Sequence, residues 1–311
     1  MMLLNFFKME LFRLLKMKSL IATAVIMAFC VFAYSFIILG LNVGGIFGNL
    51  VMNTVDQDDI YVNYDMDDTE DYDVFGGTED DGSDTYQTQQ QQDFSIVGEG
   101  IGYDNDVATT FQMNTAGLIG LLLISIVAGL FFGNDYSTHI NKNYPIVNGR
   151  KWVGFTSKIL AMMIFIMAFH IFVWICCFIS HLFWARSANP GIYPASVVYF
   201  FVTYMVTLTI VTMIGFVTTL FKSKAAGVTF GVMVSIGTFS LPVRIADFII
   251  QWKTGEQDFT LQHYIPSRIL ANLNLTTDSK IVIIGAICAI IYFISAYMGS
   301  ILITNKRDLD T

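Results

Sequence analysis

The sequence predicts an all-α membrane protein with six transmembrane helices. An interfacial N-terminal helix, a short cytoplasmic helix and outer re-entrant helices before the last span complete the predicted fold. Hydrophobic residues make up 54% of the 311-residue chain and charged residues only 14%, whereas soluble proteins carry about 25% charged residues. The apolar residues also cluster in runs of about 20, the length that a helix needs to cross the hydrocarbon core.

Six apolar runs have this length. They predict spans at 19–41, 115–133, 159–184, 196–221, 225–243 and 280–303. Twelve of the seventeen Lys and Arg residues lie in 1–18, 134–158, 222–224 and 304–311. Because cytoplasmic loops retain basic residues, we expect both termini in the cytoplasm and segments 42–114 and 244–279 outside. The predicted location is the plasma membrane.

Segment 1–18 is predicted to be an amphipathic helix that lies in the cytoplasmic interface. Asn5, Lys8, Arg13 and Lys16 project from one side of such a helix, and Leu, Phe and Met occupy the other. A basic stripe faces anionic headgroups while the apolar side enters the acyl boundary. Membrane lipid is therefore an expected partner.

Segment 42–114 holds seventeen of the twenty-five acidic residues and no Lys or Arg. This composition is typical of a solvated, disordered loop, although the tyrosines and valines among the acids leave a small ordered ectodomain open. Such a loop attracts cationic molecules, and Asp56, Asp65, Asp67 and Asp68 are candidate substrate contacts.

No catalytic, metal or cofactor site is predicted. The acidic stretch resembles a calcium loop at Asp65 and Asp67, but Glu70 stands where Gly is required and Gly76 where Glu is required. The chain contains no phosphate-loop motif, and its four cysteines fall inside apolar spans. We expect no nucleic-acid partner.

Other features concern the membrane body. In segment 134–158, Asn134 or Asp135 can cap a short helix that Pro145 ends, although an ordinary basic connector fits as well.

His170 is the only ionisable residue deep in a span, and either a packing role or a substrate contact fits it. Threonine hydroxyls of the fourth span are expected to bond to carbonyls of their own helix.

Small residues recur at every fourth position in three places, and such faces favour a tightly packed bundle or a dimer. They are Gly40, Gly44 and Gly48; Ser125, Gly129 and Gly133; and Ser223, Gly227, Gly231 and Ser235.

The layout resembles the type-2 permeases of ATP-binding-cassette exporters. The resemblance rests on the basic N-terminal helix "FFKMELFRLLKMK", the large exported loop after the first span, and "NDYSTHINKNYPIVNGRKWVGFTSK" before the third. The exported "PVRIADFII" and "HYIPSRILANL" and the tail "TNKRDLDT" are also similar. The resemblance covers nearly the whole chain except 42–114.

The resemblance implies a permease dimer, formed with a second copy of the chain, that binds two copies of a cytosolic ATPase. ATP and Mg would be bound by that ATPase and not by this chain. The implied coupling residues are Asp135, Tyr136, Ser137, Thr138, His139, Ile140, Asn141, Lys142 and Tyr144, with a second contact at Lys222 and Lys224. The implied dimer interface contains Gly40, Gly44, Gly48, Gly227, Gly231 and Ser235.

Among these permeases, the chain is most similar to exporters of peptide toxins and bacteriocins, including the phenol-soluble-modulin type. We therefore expect outward export of amphipathic peptides, cationic or antimicrobial ones, since Met-rich surfaces suit irregular apolar ligands. Export of drugs or lipid-linked sugars is an alternative. A second alternative is an immunity protein that sequesters peptides without transport.

Overall fold

The computed structural model describes residues 2–37, 107–115, 118–137, 152–184, 194–254, 261–272 and 279–306. The regular structure of these residues is helical throughout. The helices are α1 (Met2–Leu15), α2 (Lys18–Ser35), α3 (Val107–Thr115), α4 (Leu118–Ser137), α5 (Trp152–Trp184), α6 (Pro194–Phe221), α7 (Lys224–Ser235), α8 (Ser240–Thr254), a 3₁₀ helix (Leu261–Tyr264), α9 (Pro266–Asn272) and α10 (Ser279–Lys306).

Five of these helices are long and apolar enough to cross a membrane. They are α2, α4, α5, α6 and α10. In this bundle α6 is the most buried helix, whereas α2 and α10 are the most exposed and present their isoleucines outward. Outward-facing apolar side chains on long helices suit contact with lipid. The chain is therefore a multi-pass helical membrane protein.

The predicted span at 225–243 is interrupted after α7. This helix has 12 residues, which give a length of about 18 Å, short of the roughly 30 Å of hydrocarbon. Gly237 has φ +74°, and Thr238 N–H donates to the Met233 carbonyl at 3.0 Å. This is the Schellman termination, which requires a left-handed residue. Gly237 therefore ends α7 and turns the chain into α8.

Helices α4 and α7 approach each other closely enough for their backbones to touch. A Cβ atom added at Gly129 would lie 2.7 Å from the Val228 nitrogen, and one added at Gly133 would lie 2.5 Å from the Lys224 Cα. The hydroxyls of Ser235 and Ser125 are 3.1 Å apart. Two of the predicted small-residue faces therefore pack against each other within one chain.

Hydroxyl groups on α6 bond mainly within the helix, as predicted. Thr207, Thr212, Thr218 and Thr219 each donate to the carbonyl four residues earlier. Thr209 differs, because its hydroxyl lies 2.9 Å from the carbonyls of both Met205 and Ala289. Thr209 therefore links α6 to α10.

Replacing Thr209 with Val is expected to reduce stability by about 0.6 kcal/mol, the average for a hydrogen bond between membrane helices. Thr212→Val is the matched control, since the Thr212 hydroxyl donates to the Leu208 carbonyl of its own helix. Unfolding in mixed micelles by SDS titration measures both. Equal losses for the two variants would contradict the link to α10.

The segment between α8 and α10 folds back onto the bundle. Asp247 on α8 accepts the Leu261 N–H at 2.6 Å, which ties α8 to the 3₁₀ helix. Ile269 on α9 packs against Gly285 of α10. Burial, followed by the nearby positive charge of Arg244, lowers the pKa of Arg268. The described part of segment 244–279 is helical, in the end of α8, the 3₁₀ helix and α9. The two short outer helices stay a prediction.

Candidate functional site

A cluster of four charged side chains joins three helices at one end of the bundle. Arg13 on α1 bonds through Nη2 to Asp135 Oδ1 at 2.6 Å and through Nη1 to Glu10 Oε1 at 2.8 Å. Lys158 on α5 pairs with the other oxygen of Asp135, which belongs to α4. We call Glu10, Arg13, Asp135 and Lys158 the charge cluster. The Asp135 carboxylate bridges α1 and α5.

Three of the four residues of the charge cluster are almost closed to solvent, whereas the Arg13 side chain is 23% exposed. The exposed fractions of Glu10, Asp135 and Lys158 are 0%, 3% and 5%. Two acids and two bases give a formal charge of zero, and buried charges persist only when they are paired in this way. The Lys158 ammonium also lies 5.5 Å from the centre of the Phe131 ring, within the range of cation–π attraction.

Local sequence places each member of the cluster. Arg13 follows Glu10 by three residues, so the two lie on one helix face. Asp135 is predicted above to begin a separate short helix, but it lies inside the last turn of α4, which continues to Ser137. Its carboxylate binds two cations there. The sequence analysis did not identify Glu10 as a site residue, although it is the only acid before residue 56.

The residues of the predicted ATPase contacts lie close to the charge cluster where they are described. Tyr136 and Ser137 complete α4. Lys222, with φ 50°, forms the turn between α6 and α7, and Lys224 packs against Gly133, two residues before Asp135. The predicted coupling residues outside the described part of the chain are Thr138, His139, Ile140, Asn141, Lys142 and Tyr144.

His170 is fully buried midway along α5. Its Nδ1 lies 2.8 Å from the Ile166 carbonyl, one turn earlier. Four aromatic rings surround the imidazole, with centroids 5.9 to 6.3 Å away. They belong to Phe111, Phe169, Phe200 and Tyr204. We call this arrangement the His170 box.

Some of the predicted dimer-interface residues pack within the chain, and the remaining dimer and loop candidates lie outside the described residues. Gly227, Gly231 and Ser235 contact α4, α6 or their own helix within the chain, so a second copy would need other surfaces near α7. The dimer itself stays a prediction. The candidates outside the described residues are Gly40, Gly44, Gly48, Asp56, Asp65, Asp67 and Asp68. Within the described ranges, no three His, Cys, Asp or Glu residues are grouped to hold a metal ion.

Comparison with known proteins does not identify a family for this chain, so its class follows from its structure alone. No model of a known protein family matches this chain, and no curated protein matches it by sequence. The long apolar helices define the class as a multi-pass helical membrane protein.

Proposed function

We propose that the chain is the transmembrane permease subunit of an ATP-driven exporter. ATP and Mg would be bound by a separate cytosolic ATPase, present in two copies, and the permease would form a dimer with a second copy of itself. The substrates would be amphipathic peptides, cationic or antimicrobial, that move outward across the plasma membrane. The observation that supports this proposal is the Asp135 bridge at the point where the predicted coupling segment begins.

The charge cluster suits the transfer of motion from a coupling segment to the bundle. A displacement of the segment that starts at Asp135 acts directly on α4, and through the salt bridges on α1 and α5. Breaking a buried ion pair by separating its partners is costly, so the three helix ends would move together. The contact of Gly133 with Lys224 extends this coupling to the turn before α7.

The positions of the chain ends support a layout with six crossings and both termini on the cytoplasmic side. Arg13 near the end of α1 contacts Lys158 near the start of α5 through Asp135. Thr156 of α5 also shares a 2.8 Å hydrogen bond with Tyr297, in the last third of α10. Both described ends of the chain therefore lie at the same end of the bundle. An even number of crossings would follow, with α7 and α8 together completing the sixth.

The test of the proposal is purification of the tagged full-length chain from its native membrane in mild detergent. We expect a cytosolic ATPase with a phosphate-loop motif to co-purify, and its ATP hydrolysis to increase when the permease is added back in lipid nanodiscs. The proposal would be refuted if the chain purified alone and did not change the hydrolysis rate of any ATPase encoded by a neighbouring gene.

Deleting residues 56–84 separates export from peptide sequestration. This segment carries thirteen carboxylates, so a sequestering immunity protein would lose binding of cationic peptides and have no ATPase to stimulate. An exporter would keep stimulation of its ATPase after the deletion. Stimulation by drugs or lipid-linked sugars, with no response to cationic peptides, would favour the alternative substrates.

A further inference from the structure

The His170 box contains a hydrogen-bond acceptor that has no donor. A carbonyl oxygen only accepts, so the bond with the Ile166 carbonyl places the proton of the neutral imidazole on Nδ1. The other ring nitrogen, Nε2, is then an acceptor. It is buried and has no hydrogen-bond partner among the residues that the structure describes. Most buried polar atoms are bonded, and an exception calls for an explanation.

Phe111 of α3 fills one side of the box. Its ring stacks on Phe200 with centroids 5.8 Å apart and lies 5.9 Å from the imidazole. The Phe111 side chain is 1% exposed, yet it offers no donor to Nε2. Phe111 therefore packs against the aromatic rings of the box but gives Nε2 no hydrogen bond.

Helix α3 is a short, separate helix that packs against α2, α4 and α5. It ends at Thr115, and α4 begins at Leu118 as a separate helix. The Asn114 amide donates to the Thr110 carbonyl at 2.8 Å, and the Thr115 hydroxyl donates to the Phe111 carbonyl at 2.7 Å. These bonds stay intact when α3 moves as a unit. Withdrawal of α3 would expose the box without breaking these two bonds, at the cost of the packing of α3 against its neighbours.

We propose that the His170 box binds a cationic side chain of the peptide substrate, and that Phe111 is an internal competitor for the same place. A lysine ammonium has three donors and no acceptor, so it complements Nε2. The Phe200 ring, on whose face Phe111 stacks, would present that face to a cation in the place of Phe111. The identity of the ligand as a transported peptide rests on the proposed function, but binding to the box requires no ATPase.

The binding test uses the full-length chain in lipid nanodiscs without ATPase or ATP. The probe is a fluorescent amphipathic peptide made of Leu and Lys, and its matched control carries Ser in place of Lys. Phe111→Ala is expected to lower the Kd of the Lys peptide about tenfold, because removing a competitor raises the fraction of binding-competent protein. Adding His170→Phe to Phe111→Ala should abolish this gain.

Phe183→Ala is the control for loss of a phenyl ring. Phe183 lies on the same helix as His170 but is 74% exposed and about 20 Å further along the helix axis, so its truncation should leave the Kd unchanged. An unchanged Kd in Phe111→Ala would overturn the proposal. So would a gain that survives His170→Phe, or an equal gain for the Ser peptide.

Hydrogen exchange on the unmodified chain tests the same proposal if Phe111→Ala fails to fold. Adding the Lys peptide should speed the exchange of amides in 107–115, because the peptide displaces α3. Unchanged exchange with bound peptide would overturn the proposal. Peptide binding to the box without any stimulation of an ATPase would refute the exporter function but not the proposed binding site. ATPase stimulation without peptide binding to the box would refute the binding site but not the exporter function.

Discussion

Replacing Asp135 with Asn is expected to lower the free energy of unfolding by about 3–5 kcal/mol, the cost of leaving a buried charge without its partner. The amide keeps the size of the carboxylate but removes the charge that Arg13 and Lys158 share. Lys158 is 5% exposed, so water cannot replace the lost partner. SDS titration in mixed micelles, followed by helical circular dichroism, measures this effect.

Two further variants control the Asp135 experiment. Lys8 is an exposed residue of α1, so Lys8→Gln should change stability by less than about 0.5 kcal/mol. Adding Lys158→Met to Asp135→Asn removes the orphaned cation, and most of the lost stability should return. The bridge would be contradicted if Asp135→Asn behaved like Lys8→Gln, or if the double variant were less stable than the single one.

Gly129→Ala is expected to cost about 1–3 kcal/mol, the range for overpacking a close-packed interior. The new Cβ atom would lie 2.7 Å from the Val228 nitrogen and 2.8 Å from its Cα. These are backbone atoms, so no side-chain rotation can relieve the contact, and α4 must separate from α7. The same SDS titration should show earlier unfolding.

Gly154→Ala makes the identical chemical change in open space. Gly154 lies within α5, and no atom of the described residues lies within 4 Å of its added Cβ atom. Alanine loses less conformational freedom than glycine on folding, so this variant should gain about 0.4–1 kcal/mol. Opposite signs for the two substitutions would assign the loss at Gly129 to packing. A loss of similar size at both positions would contradict that assignment.

Hydropathy and length predicted the long helices because an apolar run reports directly on burial in lipid. The same signal missed the break after α7, since the residues on both sides of Gly237 remain apolar. That break depends on one left-handed backbone angle, which hydropathy does not describe. A single glycine in an apolar run is common in membrane helices, so Gly237 could not be distinguished from the other glycines.

The charge cluster illustrates what spacing leaves undetermined. Arg13 and Asp135 are separated by 122 residues, and no local periodicity links them. The small-residue faces were visible in the sequence, but their partner was not, because a face on α7 fits another helix of the same chain or of a second copy equally well. The structure pairs Gly231 with Ser125 of the same chain. The spacing of small residues in the sequence shows which helix faces can pack closely, but only the tertiary structure shows which helix each face packs against.

The buried charge cluster and the acidic segment 56–84 are expected to respond differently to ionic strength. Dissolved ions screen exposed charges over about 8 Å at physiological salt and over shorter distances in concentrated salt. They reach the 3%-exposed Asp135 poorly. Attraction of cationic molecules by the thirteen carboxylates of 56–84 should therefore fade in concentrated salt while the link between α1, α4 and α5 persists. A salt series should thus weaken the binding of cationic molecules by segment 56–84 while leaving the salt bridges of Asp135 intact.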